Sequence, residues 1–150
     1  MDTCRPGGNH AAMGTVVIDH VSIRVSDLEA SRRLYEAALA PLGFTLIEPG
    51  EDDGPGYGFG RDDRDDFYIH QPIDEPGQDT VTTGAHIAFA ASSREEVDAF
   101  HRIALEHGAT DIGAPGIRDK YSDGYYGGFV LDLDGNNMEA VFHERGAPTS

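Results

Sequence analysis

The sequence predicts an α+β domain made of one strand–helix–strand–strand–strand unit used twice. Three observations predict it. Two segments share a layout: Ile18-Asp19-His20-Val21-Ser22-Ile23-Arg24-Val25 leads into a helical stretch ending near Leu42-Gly43, and Ala85-His86-Ile87-Ala88-Phe89-Ala90 leads into another ending near His107-Gly108. Gly43 follows His20 at nearly the interval at which Gly108 follows His86. Each segment opens with alternating apolar residues, the mark of a half-buried strand, and then changes to the spacing of an amphipathic helix.

The elements follow in order. In the first strand Val17, Val21, Ile23 and Val25 share a face with Asp19, while His20, Ser22 and Arg24 share the other with Ile18. Ser26 and Glu29 form a Ser-x-x-Glu capping box. The helix stripe is Leu28, Leu34, Tyr35, Ala38 and Leu39, with Pro41 limiting the helix and Gly43 suiting a left-handed stop. Strands are expected at 45–48, 57–60 and 67–71, with loops at 51–56 and 74–83, the second joining the two units. The second unit places Ile87 and Phe89 on one strand face and His86, Ala88 and Ala90 on the other. Ser92 with Glu95, or Ser93 with Glu96, caps a helix whose stripe is Val97, Phe100, Ala104 and Leu105. A weak strand near 110–113 precedes strands at 125–133 and 138–143, which flank an Asp134-Gly135-Asn136 turn.

Composition bounds the function. With 11 Lys plus Arg against 27 Asp plus Glu, the net charge of −16 speaks against nucleic acid and anionic membranes, which need a basic patch. Disorder does not fit a chain that is 39% hydrophobic in periodic runs. The single cysteine, Cys4, cannot form an internal disulfide. No apolar run approaches a membrane span, and residues 1–14 lack the apolar core of a secretory signal, so they read as a disordered leader to a cytoplasmic protein. One domain is expected at 15–145, with module one about 15–75, module two about 82–145 and a tail at 146–150.

The candidate chemistry comes from the first and last strand of each unit. If both lie centrally in their sheets, His20, Tyr68, His86 and Glu139 can converge on one cleft. Two imidazoles and a carboxylate with open positions make a facial triad suited to non-haem iron and related divalent metals. One histidine on a strand is usually an ordinary polar residue. The same position filled in both repeats, with a carboxylate on an apolar final strand, is a stronger signal.

These residues resemble the vicinal oxygen chelate superfamily of glyoxalase I, extradiol dioxygenases, fosfomycin resistance enzymes and bleomycin-binding proteins. The resemblance runs from Thr15 to Glu144 and rests on Ile18-Asp19-His20-Val21, Leu34-Tyr35 leading to Leu42-Gly43-Phe44, Gly84-Ala85-His86-Ile87-Ala88-Phe89, and Phe129-Val130-Leu131-Asp132-Leu133-Asp134-Gly135-Asn136-Asn137-Met138-Glu139. It implies paired βαβββ modules forming a curled mixed sheet around a metal-binding cleft. Its ligand positions fall on His20, Tyr68, His86 and Glu139. Tyr68 departs from the carboxylate of glyoxalase I, whereas two His and one Glu suffice for extradiol dioxygenases. The expected function is a lyase, isomerase or dioxygenase using Fe, Mn, Ni or Zn on a small substrate chelated through adjacent oxygens. The alternative is a binding protein that sequesters an antibiotic or metabolite. The resemblance also implies a homodimer, with clefts within or between chains.

Further candidates surround this set. His70, two residues beyond Tyr68, is a fourth ligand, a general acid–base or a plain polar cleft residue. Glu139 is the second catalytic candidate. Arg118, Tyr121, Tyr125 and Tyr126 lie in a cationic, phenolic segment suited to an anionic or aromatic substrate, and Arg24 suits a substrate carboxylate. The acidic runs at 51–53 and 62–66 lack the ligand spacing of a calcium loop and read as solvated.

Overall fold

The computed structural model describes residues 17–48 and 54–144; the expected leader with Cys4, the acidic run 51–53 and the tail lie outside the described residues. Module one runs β1 (Val21–Arg24), α1 (Leu28–Leu39), a 3-10 turn (Ala40–Leu42), β2 (Thr45–Ile47), β3 (Gly56–Gly60) and β4 (Phe67–His70). Module two runs β5 (His86–Ala90), α2 (Arg94–Glu106), β6 (Thr110–Ile117), β7 (Tyr125–Leu131) and β8 (Asn137–His143). Each module folds into its own four-stranded mixed sheet, in the orders β1-β4-β3-β2 and β5-β8-β7-β6. The α+β architecture of two βαβββ modules is therefore the one the repeat predicts.

The first strand pairs parallel with the last in both modules, and the other pairings are antiparallel. A parallel pair needs a long crossover, which the helix begins and the two middle strands complete. This topology corrects one expectation. The last strand lies inside each sheet, but among the described residues β1 and β5 are edges with a single strand neighbour.

One core spans both modules. Each helix packs on its own sheet and the two helices pack on each other. Phe89 of β5 lies at 5.3 Å from Phe67, 5.7 Å from Phe44 and 6.5 Å from Phe100, measured between ring centroids. The stripe of α1 is buried as expected at Leu34, Tyr35, Ala38 and Leu39. On α2 Val97, Phe100 and Ala104 are buried, but Leu105 is exposed and His101 takes the fourth buried place. His101 tolerates this because Nε2 meets Asp111 Oδ1 at 3.0 Å.

Polar contacts clasp the modules. Tyr35 donates to Asp132 Oδ2 at 2.5 Å, and Ser26 Oγ donates to Asp134 Oδ1 at 2.5 Å. Within module two, buried Asn136 braces the turn by donating to Thr82 O and accepting from Ala85 N. This clasp explains a second correction. The N-cap of α1 is Asp27, whose side chain accepts from Ala30 N, because Ser26 is drawn to the remote turn. On α2 the cap is Ser93, accepting from Glu96 N. Among the described residues no helix is long and apolar enough to cross a membrane.

Candidate functional site

Strand register places the chemistry. On β5 and β8, His86 lies opposite Asn137 and Ala88 opposite Glu139. Side chains two apart share a face, so His86, Asn137 and Glu139 all point away from the helix. Phe89, Met138 and Ala140 point into the core. Glu139 is only 1% exposed, whereas the His86 side chain is 53% exposed. His86 Nε2 lies 2.9 Å from Glu139 Oε1, and the Tyr125 hydroxyl donates to Oε2. A carboxylate oxygen accepts, so the Tyr125 hydroxyl is the donor to Oε2, and His86 Nε2 is the imidazole nitrogen that faces the carboxylate.

Burial first, and then the Glu139 carboxylate beside it, push the Tyr125 phenol well above its ordinary pKa, so it stays protonated at neutral pH. Gly127 makes room for the arrangement: a Cβ there would stand 3.0 Å from both Glu139 Oε2 and the Tyr125 ring. In front of His86 opens a cleft of about 390 Å³. Arg118 lies over Phe129 at 5.7 Å, and Lys120 over Tyr121 at 5.1 Å.

Module one repeats the register with different side chains. Ser22 lies opposite Tyr68, so His20 stands to Tyr68 as His86 stands to Glu139. His20 is exposed just before β1, and its Nδ1 lies 2.8 Å from Asp19 Oδ1. That hydrogen bond to Asp19 raises the imidazole pKa. A shallow site there is lined by His20, Asp19, Arg64, Asp65 and Asp66. Tyr68 lies beside His70, with ring centroids 5.8 Å apart, and His70 Nδ1 lies 2.8 Å from Gln71 O.

The candidates thus divide. His86, Glu139, Tyr125, Tyr121 and Arg118 gather on module two. His20, Tyr68 and His70 lie on module one. Arg24 is tied to the linker, with Nε donating to Thr80 O at 2.6 Å and its backbone paired with Thr82. Tyr126 is on the helix side, donating to Asp98 Oδ1 beneath Arg94. Lys120 belongs to the cationic, phenolic segment the sequence singles out, whereas sequence reasoning leaves Phe129 and Asn137 out of the site. The alternation of β8, which puts Asn137 on the face of Glu139, could have found the last.

The donor set bears on the expected metal. Imidazole and carboxylate are suitable ligands, but among the described residues no group of three His, Cys, Asp or Glu side chains is close enough to hold an ion. One chain brings two of the three expected donors together, and both Glu139 oxygens already accept hydrogen bonds. No reaction step follows through a metal within a single chain.

A family model described as the Glyoxalase/Bleomycin resistance protein/Dioxygenase superfamily matches residues 17–140, and the chain belongs to that superfamily. A solved glyoxalase/bleomycin resistance protein from Albidiferax ferrireducens T118 is 34% identical, with a TM-score of 0.71 over 85% of this chain and 99% of that one. Two others share the fold at lower identity. A glyoxalase/bleomycin resistance protein/dioxygenase family enzyme from Burkholderia phytofirmans PsJN is 19% identical, with a TM-score of 0.62 over 86% of this chain and 100% of that one. A lactoylglutathione lyase from Agrobacterium tumefaciens is 16% identical, with a TM-score of 0.59 over 85% and 94%. No curated protein matches the chain.

Proposed function

We propose that the chain works as a cytoplasmic homodimer that binds a small oxygenated molecule at the His86–Glu139 face. It acts there with a divalent metal, Fe, Mn, Ni or Zn, as a lyase, isomerase or dioxygenase. The observation that carries this reading is the buried Glu139 carboxylate held beneath a half-exposed imidazole at a sheet edge. A buried carboxylate is costly unless paired, and this one is paired on the face that opens to a cleft.

The third donor is His20 from a second copy. His20 holds in module one the place that His86 holds in module two. Among the described residues the outer edge of β5 has no strand partner, and the groove along it is lined by Ile18, Val21, Phe44, Phe67 and Phe89. Val17 and Ile18 are 91% and 70% exposed. Folded proteins cover such edges and apolar surfaces. When bound, the metal supplies Lewis-acid stabilisation of charge developing on a substrate oxygen. Tyr125 fixes the carboxylate by donating to one oxygen, Glu139 serves as proton acceptor, and His70 is a further acid–base candidate from module one. Tyr68 in place of a second carboxylate favours a second reading, a protein that sequesters its ligand without turnover.

Light scattering and elemental analysis of untagged protein test the proposal. His20→Ala and His86→Ala should each remain dimeric and lose the metal. Co-refolded together they should regain about a quarter of it, since half the dimers are mixed and each has one intact site. No recovery overturns the two-chain site, and stoichiometric metal in Glu139→Ala overturns the ligand assignment. Metal-free wild type with tight ligand binding supports sequestration.

A further inference from the structure

The cleft beside His86 carries chemistry that the metal donors do not use. Among the described residues its lining includes Arg118 and Lys120 and no carboxylate, although the chain has 27 acids. Lys120 is the only lysine of the sequence. Arg32, Arg64, Arg94 and Arg102 are each paired with a carboxylate. Among the described residues Arg118 and Lys120 are not; Arg118 donates to the Ala114 carbonyl and Lys120 lies over Tyr121. Two cations outside any ion pair at one concave site favour an anionic ligand there.

A second observation is independent of charge. Asn137 lines the same cleft, and its Oδ1 is buried and accepts no hydrogen bond. A buried acceptor without a donor is a rare and costly state that a ligand hydroxyl relieves. The third is shape: Phe129 and Tyr121 offer ring faces, and Ile112 adds an apolar edge. A Cβ on Gly113 would stand 3.0 Å from the Phe129 ring, so the glycine leaves that face open. At about 390 Å³ the cleft is near the lower end of ligand sites.

We propose that this cleft binds a small hydroxylated organic anion with a flat apolar part, its acid group held by Arg118 and Lys120 and its hydroxyl donating to Asn137 Oδ1. The proposal rests on the His86–Glu139 face being the ligand face, and it names the ligand class there. Mandelate, which combines an aromatic ring, a carboxylate and an adjacent hydroxyl, is the probe.

Calorimetric titration compares mandelate with phenylacetate, which lacks the hydroxyl, and with benzyl alcohol, which lacks the acid. Mandelate should bind tightest, each deletion costing about tenfold. Lys120→Gln and Arg118→Gln should weaken mandelate several-fold, flatten its salt dependence and leave benzyl alcohol unchanged. Asn137→Ala, which removes no existing side-chain hydrogen bond, should erase the preference for mandelate over phenylacetate. Equal binding of the three probes by wild type, binding of none, or wild-type affinity for mandelate in Lys120→Gln or Asn137→Ala overturns the proposal. Failure of the two-chain metal reading shows instead in metal content and complementation, which these titrations do not measure.

Discussion

Glu139 shows how one side chain answers to several neighbours at once. Its carboxylate accepts from His86 and Tyr125 and lies against the bare face of Gly127. Tyr125→Phe should destabilise the protein by about 1–3 kcal/mol, the cost of leaving a buried acceptor short of a donor. Urea unfolding measures it. In a Glu139→Gln background the cost should shrink, because the neutral amide asks less of the phenol; an undiminished cost would place the role of Tyr125 elsewhere. The sequence shows the parity that puts Glu139 on the face of His86. It does not show that Tyr125 reaches over Gly127 to the same group, since cross-strand neighbours depend on a register that only pairing sets.

Among the elements, both helices and the alternation of β5 and β8 are legible because periodicity reports burial directly. The N-cap of α1 is not, since the partner that takes Ser26 away is Asp134 of the other module. Strand β6 is longer than its residues suggest, running through Pro115 with register shifts near Gly113 and Gly116. It accommodates them because it is a sheet edge, where a residue without an N–H leaves no ladder partner unmet. The edge position of β5 is equally invisible in its residues. Its one buried ring, Phe89, is the apolar link between modules, so Phe89→Ala should cost about 3–5 kcal/mol, read as a lower urea midpoint. A loss below about 1 kcal/mol would mean that the modules are held together mainly by their polar clasp.

For the whole molecule, the clasp and the shared core join the two modules, so they are expected to unfold as one unit. Tyr35 is buried against Asp132, and burial together with that charge raises its pKa well above the ordinary value. A raised folded pKa gives stability that is complete below the unfolded value of about 10 and is lost as pH climbs beyond it. Urea unfolding should therefore give one transition whose midpoint falls above about pH 10, and Tyr35→Phe should flatten part of that fall. Two separate transitions would overturn the single-unit account. The short turn that supplies Asp132, Asp134 and Asn136 is also late in the chain, whereas Ser26 and Tyr35 are early. A nascent chain thus makes its first half long before the partners of that half exist. Module one leaves the ribosome with its clasp residues unmet and must wait for the final hairpin, so the order of synthesis runs against the order of closure.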